Sequence, residues 1–407
     1  MAYTPKIRFQ GFADEWEQRK LSELSDTFEY GLNAAAKEFD GENKYIRITD
    51  IDDVSHEFNG DDVTSPDTDL ANAENYKLAD GDILFARTGA SVGKTYIYKE
   101  SDGVVYYAGF LIRARIKKEY NPEFVFQNTL TADYEKYIAV TSQRSGQPGV
   151  NAQEYSEYKI MISGKAEQDK VSAYLGSLDY LITLHQHKCD ETKEMKKYML
   201  QKMFPRKGKK NPEIRFAGFT GDWEQRKLSE LIEEYKEVVE SNCELPVLTS
   251  SKTEGVLLQE EHFGRKQSHD ITGYNVLPRN YCTYRNRSDG IDFTFNINKC
   301  CERGIISKFY PVFCGKDSDT FFISLVLNNS DEVVREIGYT CTGTGQKVLN
   351  FSDLLKMYLN VPTHEEQKKI AAYFDRIDSL ITLHQRKCNE LKEVKKFMLQ
   401  NMFPQKG

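Results

Sequence analysis

The chain contains the same helical sequence twice, and this duplication limits the folds that it can adopt. "LITLHQHKC" recurs as "LITLHQRKC", inside segments 166–208 and 365–407 that align without a gap. A second repeat, "PKIRFQGFADEWEQRKLSEL" and "PEIRFAGFTGDWEQRKLSEL", occupies residues 5–24 and 212–231. We call these the helical repeat and the front repeat. Each half of the chain therefore consists of a front repeat, a variable cassette and a helical repeat.

The helical repeat has the periodicity of a coiled coil. Mostly apolar residues recur in alternating steps of four and three, from Val171 to Met203, with Lys196 as the exception, and again from Ile370 to Met402. A second apolar stripe beside this seam predicts that each helix contacts its twin and also another surface. The residues predicted for the seam and the stripe are Leu178, Leu181, Ile182, His185, Ile377, Leu380, Ile381 and His384.

Two histidines, His185 and His384, fall on this seam. Paired imidazoles could bind a metal ion, but apart from Cys189 and Cys388, four residues further on, no carboxylate or thiolate recurs at ligand spacing. We interpret both histidines as packing residues.

The variable cassettes are predicted to be mixed α/β. "KYIRITDI", "GDILFART", "TYIYK" and "VVYYAGFLIRARI" have strand character, and "NPEFVFQNTLTADYEKYI" predicts a helix that begins at Pro122. In the second cassette, "NNSDEVVREIG" predicts a helix capped by Ser330.

Faint matches between the cassettes indicate one fold used twice. They fall at nearly the spacing of the strong repeats and pair Thr49 with Thr249, Arg87 with Arg285 and Gly146-Gln147 with Gly345-Gln346. We therefore predict a mixed α+β tandem repeat with pseudo-two-fold symmetry, in which two long antiparallel coiled-coil helices separate two similar domains. The predicted segments are front repeat and first cassette (1–163), first helical spacer (164–208), front repeat and second cassette (209–362) and second helical spacer (363–407).

Composition excludes several classes of protein. No apolar run approaches the ~18 residues of a membrane span, and no signal-peptide stretch opens the sequence, so we expect a cytoplasmic protein with no membrane partner. The eight cysteines form no CxxC pair and should be reduced thiols rather than a zinc site. A net charge of −7 argues against a protein that coats nucleic acid by charge alone.

No catalytic motif is complete. "RTGASVGKT" is close to a phosphate-binding P-loop, but Gly89 and Gly93 enclose three residues where that loop needs four. An Asn-Pro-Pro-aromatic tetrapeptide and a hydrolase triad are also missing from the sequence. The sequence thus predicts binding surfaces without a catalytic or metal centre.

The arrangement resembles the DNA-specificity subunit of type I restriction-modification systems. The resemblance covers essentially the whole chain and rests on the alternation of cassettes and repeats, on "EWEQRKLSEL", on "GDILFARTGASVGK", and on "SGQPGVNAQEYSEYKIMIS" running into "EQDKVSAYLGSLD". It implies that each cassette is a target-recognition domain for one half of a bipartite double-stranded DNA target. The helices would set the spacer and dock two methyltransferase subunits, and restriction subunits would complete the assembly. Catalysis, with S-adenosylmethionine, ATP and Mg²⁺, would belong to those partners, so no cofactor is expected in this chain.

Candidate base-reading residues lie on polar or glycine-rich loops, where arginine can fork onto guanine and asparagine onto adenine. The alternative for each is an ordinary solvated loop, or for Arg47 a surface strand. The candidates are Arg47, Arg87, Thr88, Ser91, Lys94, Arg144, Gln147, Arg285, Asn286, Arg287, Ser288, Gln346 and Lys347.

Two other functions remain open from the sequence. One is a protein-interaction scaffold whose cassettes never touch DNA, and the other is a nuclease or methyltransferase that acts alone. Because only the helix-and-linker segment 164–210 is plainly basic, we also expect weak DNA binding by this chain without partners.

Overall fold

The computed structural model describes residues 4–60, 62–206, 208–240, 242–265, 270–343 and 346–404. Gly345 and the last three residues of the second helical repeat, to which predictions refer, lie outside these ranges.

The chain forms two compact units. Unit 1 is Met1–Lys188 with His384–Gly407, and unit 2 is Cys189–Leu383. The boundaries fall inside the long helices and not at the ends of the predicted segments. Each unit therefore combines a cassette with the first half of the helix that follows it and the second half of the other helix.

The first half of the chain ends in a long helix. Its elements are β1 (Glu17–Lys20), α1 (Leu21–Leu24), β2 (Ser25–Tyr30), β3 (Ala35–Glu38), β4 (Lys44–Ile46), β5 (Thr64–Asp67), β6 (Ile83–Ala86), β7 (Thr95–Ile97), β8 (Val105–Tyr107), β9 (Leu111–Ile116), α2 (Pro122–Asn128), α3 (Ala132–Thr141), α4 (Ala152–Ser156), β10 (Lys159–Ile162) and α5 (Lys165–Lys202). Short 3₁₀ helices span Ile48–Asp50, Leu70–Asn72, Glu74–Tyr76 and Glu100–Asp102. Strands β2-β9-β6-β7 form an antiparallel sheet, with the pairs β1-β10, β3-β5 and β4-β8 beside it.

The second half follows the same plan. Its elements are β11 (Glu224–Lys227), α6 (Leu228–Leu231), β12 (Ile232–Glu234), β13 (Leu248–Ser251), β14 (Gly255–Leu258), α7 (Gln259–Phe263), β15 (Asn275–Pro278), β16 (Cys282–Tyr284), β17 (Arg287–Ser288), β18 (Phe295–Ile297), β19 (Arg303–Ile306), β20 (Val312–Gly315), α8 (Thr320–Asn329), α9 (Asp331–Thr340), β21 (Lys347–Val348), α10 (Phe351–Leu354), β22 (Tyr358–Val361) and α11 (His364–Met402). The sheet β12-β20-β16-β18 and the pair β11-β22 reproduce the order of β2-β9-β6-β7 and of β1-β10. The prediction of one mixed α/β fold used twice is confirmed.

Local signals placed helix starts correctly and were less successful inside long apolar runs. Helix α2 begins at Pro122, and α9 is capped by the Ser330 hydroxyl. The single helix predicted from Pro122 is wrong, since α2 ends at Asn128 and α3 starts at Ala132. The single strand predicted from "VVYYAGFLIRARI" is also wrong, because a turn separates β8 from β9.

The front repeat fastens each cassette to the helices of its unit. Trp16 is buried against Phe124 of α2 and Phe403 beyond α11, with ring centroids 5.5 and 6.0 Å away. In unit 2, Trp223 contacts Phe204 and Phe322 in the same way. These two tryptophans pack the cassettes onto the helices.

Within each unit, the halves of α5 and α11 run antiparallel. In unit 1, Asp179 pairs with Lys395 at 2.5 Å. In unit 2, Lys196 pairs with Asp378 at 2.5 Å. The predicted seam positions are buried or partly buried, which confirms the coiled-coil assignment. No helix in the described ranges combines the length and the apolar character that crossing a membrane requires.

Candidate nucleic-acid interface

In unit 1, the first predicted DNA-binding turn is a closed loop after β6. The Ala86 N–H donates to the Lys94 carbonyl (2.8 Å), and the Gly93 N–H donates back to the Ala86 carbonyl (3.0 Å). The Tyr155 hydroxyl joins both ends, accepting from the Gly93 N–H (3.1 Å) and donating to the Ala86 carbonyl (2.6 Å). A side chain at Gly93, where φ is +88°, would meet Ile138 at 2.6 Å. The glycines that resemble a P-loop therefore close a tight, anchored turn.

The loop before the helical repeat lies against this turn. The Gly89 N–H donates to the Pro148 carbonyl (3.1 Å), and the Val150 N–H donates to the Arg87 carbonyl (2.9 Å). Gln147 is exposed, and its Nε2 lies 3.0 Å from where a Cβ of Gly89 would stand. Two segments that are distant in sequence thus form one surface. The turn 108–111 joins them, because the Phe110 carbonyl accepts from the Arg87 N–H (3.1 Å). We call the whole loop surface 1 (residues 87–94, 108–111 and 143–150).

Arg87 is the cation of loop surface 1 that remains available to a ligand. Its guanidinium lies over the rings of Tyr30 (4.9 Å) and Phe110 (6.0 Å), with Nη1 3.4 Å from the Gly109 carbonyl. It makes no ion pair within the described part of the chain. Aromatic contacts hold the guanidinium without neutralising it, so its donors can bind a base edge or a phosphate. Thr88 and Ser91 lie partly buried on the same turn.

Two other predicted cations of this surface form ion pairs with carboxylates of the same chain. Lys94 is 10% exposed, donates to the Ile51 carbonyl at 2.9 Å and pairs with Asp53. Arg144 donates to both carboxylate oxygens of Glu154, at 2.5 and 2.6 Å. A new ligand would have to replace these partners, so the geometry favours a supporting role for both side chains.

The prediction that Arg47 lies on a strand is wrong. Strand β4 ends at Ile46, and Arg47 precedes a 3₁₀ turn whose Asp50 carboxylate accepts from both its backbone N–H and its guanidinium, each at 2.9 Å. This local acceptor ends the strand because it competes with ladder hydrogen bonds for the backbone N–H.

In unit 2, the corresponding surface is built from three hydrogen-bonded segments. The Asn286 N–H donates to the Phe309 carbonyl (2.9 Å), and the Leu349 N–H donates to the Asn286 carbonyl (3.0 Å). Strand β17 then pairs with β21, which contains Lys347. We call it loop surface 2 (residues 285–288, 307–310 and 346–349).

The hydrogen bonds correct the alignment of the two surfaces by one residue. In unit 1, the Arg87 N–H donates to the Phe110 carbonyl (3.1 Å), as the Asn286 N–H does to the Phe309 carbonyl in unit 2. Arg87 therefore corresponds to Asn286, and the predicted match with Arg285 is wrong. The register of a strand end depends on its partner strand, which a comparison of two segments cannot reveal.

Loop surface 2 presents more unpaired cations than loop surface 1. Arg285 is exposed, the Arg287 guanidinium lies 4.5 Å from the Phe309 ring centroid, and Lys308 lies 5.7 Å from it. In the described ranges, none of these three cations forms an ion pair, and neither does Lys347. Ser288 is buried and donates to Asp292 (2.9 Å), whereas Gln346 is exposed.

Sequence reasoning missed the aromatic residues on both surfaces. Tyr30, Phe110 and Phe309 are exposed and contact the candidate arginines, yet none was singled out. The sequence contained a signal for the two phenylalanines, because Phe110 and Phe309 are separated by the same number of residues as the two copies of the helical repeat. The prediction of a strand through "VVYYAGFLIRARI" placed Phe110 inside that strand and concealed the signal.

The predicted docking residues divide into buried and exposed groups. Leu178 and Ile377 are buried, and Ile182 and Ile381 are partly buried along the seam. Leu181 and Leu380 are 37% and 39% exposed, which leaves apolar surface open on both helices. Other exposed apolar side chains of the two helices are Tyr180, Met195, Tyr198, Leu383, Val394 and Phe397.

The two seam histidines interact with each other. The Nδ1 atoms of His185 and His384, both in unit 1, are 2.9 Å apart, which fits one shared proton. Burial, and then the charge of His384, lowers the pKa of His185. The described residues include no group of three or more potential metal ligands.

Comparisons with known proteins agree with this architecture. The family described as type I restriction modification DNA specificity domain matches residues 13–194 and 221–393. The type I restriction enzyme MjaX specificity subunit of Methanocaldococcus jannaschii is 24% identical over 94% of this chain and 91% of its own. The crystal structure of the type I restriction-modification system S subunit from M. genitalium shares the fold, with a TM-score of 0.66 at 11% identity over 99% of this chain and 100% of that one. Because the family matches most of the chain, in two copies that each contain one loop surface, the protein belongs to the type I restriction-modification DNA specificity family.

Proposed function

We propose that this chain is the subunit that selects the DNA target of a type I restriction-modification complex. Loop surface 1 would read one half of a bipartite target and loop surface 2 the other half. The observation that carries the proposal is the pair of equivalent surfaces with different side chains, Arg87 in one and Asn286 in the other, on a repeated scaffold. An equivalent scaffold suits two contacts with one duplex, and different side chains suit two different half-sites.

The exposed apolar stripe supports the second part of the proposal. Leu181 and Leu380 occupy equivalent positions of the two helical repeats and are open to solvent. A surface presented twice suits two copies of one partner. We therefore propose that two methyltransferase subunits dock on the helices and that restriction subunits join them. S-adenosylmethionine, ATP and Mg²⁺ would then act in those partners.

The distribution of charge fits an assembly in which the partners help to bind DNA. The chain has a net charge of −7, and Lys94, Arg144 and Arg47 are all paired with carboxylates. Because the net charge is negative and three of the predicted cations are already neutralised within the chain, the isolated chain should bind DNA weakly.

The test uses the chain assembled with its methyltransferase subunits. Binding is titrated against the cognate duplex, found by methylome sequencing, and against single-base variants, at two salt concentrations. Arg87→Ala should weaken cognate binding by ~1–3 kcal/mol and relax preference at one position of one half-site. Arg285→Ala should do the same in the other half-site.

The control is Arg19→Ala, which removes an exposed arginine of the front repeat and should leave binding unchanged. Uniform weakening across all variants would make Arg87 a phosphate contact. No sequence-dependent binding by the unsubstituted assembly would refute the proposed function and favour a protein scaffold.

A further inference from the structure

Both loop surfaces display a phenylalanine at the tip of the same turn. In unit 1, the turn Ala108–Leu111 is closed by a hydrogen bond from the Leu111 N–H to the Ala108 carbonyl (2.8 Å). In unit 2, the turn from Ser307 to Tyr310 is closed in the same way (2.9 Å). The third residue of each turn is Phe110 or Phe309, and their rings are 63% and 38% exposed.

A guanidinium covers one side of each ring, although it comes from a different position of the loop. In unit 1 it belongs to Arg87, the first residue after β6, and in unit 2 to Arg287, one residue beyond the equivalent position. Both surfaces thus place an arginine beside a phenylalanine ring, although the two arginines occupy loop positions that differ by one residue. Each ring presents an open apolar surface beside a positive charge.

The Phe110 ring contributes little to the stability of its unit. A phenylalanine stabilises a fold mainly by removing apolar surface from water, and Phe110 leaves most of its surface in water. Arg87 and Arg287, which contact the rings, have no carboxylate partner among the residues described. A ring beside an unneutralised cation matches the chemistry of a nucleotide, in which a flat base adjoins a phosphate.

The two half-sites are read by different side chains, so a feature common to both surfaces should not depend on base identity. Stacking meets this condition because every base has a π face, and phenylalanine is among the side chains that proteins insert between base steps. We infer that Phe110 and Phe309 each insert at one base step of their half-site and hold the duplex against the loops that read it. This inference rests on the proposed function and adds to it a pair of sequence-independent contacts.

The test compares Phe110→Ala and Phe309→Ala in the assembled methyltransferase complex. Each substitution should raise the Kd by about 5- to 150-fold, by the same factor for the cognate duplex and for single-base variants. 2-Aminopurine, placed in turn at each position of the half-site, should brighten on binding at one step, and the alanine variant should lose that signal. Phe110→Leu should retain part of it.

The matched controls are two other phenylalanines with a cation over the ring. Phe12 and Phe219 belong to the two copies of the front repeat. Lys170 lies 5.0 Å from the Phe12 ring, and Lys369 lies 4.8 Å from the Phe219 ring. Phe12→Ala and Phe219→Ala should leave the Kd and the 2-aminopurine signal unchanged.

Three results would overturn the inference. One is unchanged binding by Phe110→Ala and Phe309→Ala while Arg87→Ala still relaxes specificity, which would preserve the proposed function. Another is altered preference at a single base pair, which would make the ring a base-reading contact. The third is failure of the unsubstituted complex to select any sequence, which would remove both proposals together.

Discussion

At the scale of single residues, the repeats are held in place by two buried carboxylates. Glu167 accepts from Arg8 Nε (2.7 Å) and Nη2 (2.8 Å), and Glu366 accepts from Arg215 at 2.7 Å through both nitrogens. The hydrogen bond to Glu167 is the main reason that the pKa of Arg8 is raised. Each pair ties a front repeat to the first turn of a long helix, which accounts for the recurrence of both sequence motifs.

Glu167→Ala should therefore destabilise the chain. It leaves the Arg8 guanidinium, 14% exposed, without its partner, and breaking a buried ion pair costs about 3–5 kcal/mol. The measurement is the free energy of unfolding in urea. Glu17→Ala, which breaks an exposed pair with Arg19, should change it much less, because solvent screens that pair. Equal effects from both substitutions would contradict the anchoring role of Glu167.

At the scale of elements, the long helices combine a closed seam with an open stripe. Leu178 and Ile377 close the seam inside the two units, whereas Leu181 and Leu380 face solvent. The seam also contains one polar contact, in which the imidazoles of His185 and His384 meet. The helices therefore have one surface for packing and a second, exposed apolar surface to which the proposed function assigns a partner, and each can be tested alone.

The histidine pair predicts a stability that depends on pH. The folded-state pKa of His185 is lowered, so the folded chain binds fewer protons than the unfolded chain below about pH 6.5. The contribution of His185 to the free energy of unfolding should therefore be present at pH 7 and decline as the pH falls through about 6.5. His185→Leu should reduce this decline, and His384→Leu should do so by removing the neighbouring charge. Urea unfolding at pH 7.5 and pH 5.5 measures the effect, and identical pH dependence in all three chains would count against it.

The open stripe predicts loss of partners without loss of fold. Leu181→Asp or Leu380→Asp places a charge on an exposed apolar position, which the folded chain tolerates but an apolar interface does not. Each variant should keep its circular dichroism spectrum and release methyltransferase, as measured by light scattering of the purified complex. Ile182→Asp, on the partly buried seam, should in contrast also destabilise the helices. An intact complex with two methyltransferase subunits in both stripe variants would disprove this docking site.

At the scale of the whole molecule, the constant parts lie where a cassette joins the helices. Arg8 pairs with Glu167 and Trp16 contacts Phe403, both in the helical repeats, whereas Phe124 is a contact of Trp16 inside the cassette. Unit 2 repeats these contacts. A different cassette can therefore use the same attachments. The arrangement makes each half of the target independently replaceable under the proposed function.

Replacing residues 27–163 with the first cassette of another family member should change one half-site and leave the other intact. Methylome sequencing of cells that carry the chimaera reads both halves at once. A simultaneous change in both half-sites would show that the cassettes do not act as modules.

Repetition in the sequence was sufficient to predict the tandem architecture and the antiparallel helices. These features depend on periodic patterns and on identical segments, which report local structure directly. The same comparison failed at Arg87, which it matched with Arg285 instead of Asn286. In the diverged cassettes, similarity between loop residues no longer reports their place in the sheet.

What the sequence by itself determined is thus the plan of the molecule: two copies of one cassette, each attached to a long helix by the same motif. Only the tertiary structure decided which polar side chains are available. Lys94, Arg144 and Arg47 resemble free cations in the sequence but are neutralised by Asp53, Glu154 and Asp50, whereas Arg87 and Arg287 rest on aromatic rings. Helical periodicity repeats every few residues and is visible locally. Lys94 and Asp53, like Arg87 and Tyr30, are far apart in the sequence and meet only once the fold has brought their loops together. Arg47 and Asp50 are close in the sequence, but their ion pair depends on the 3₁₀ turn that follows β4.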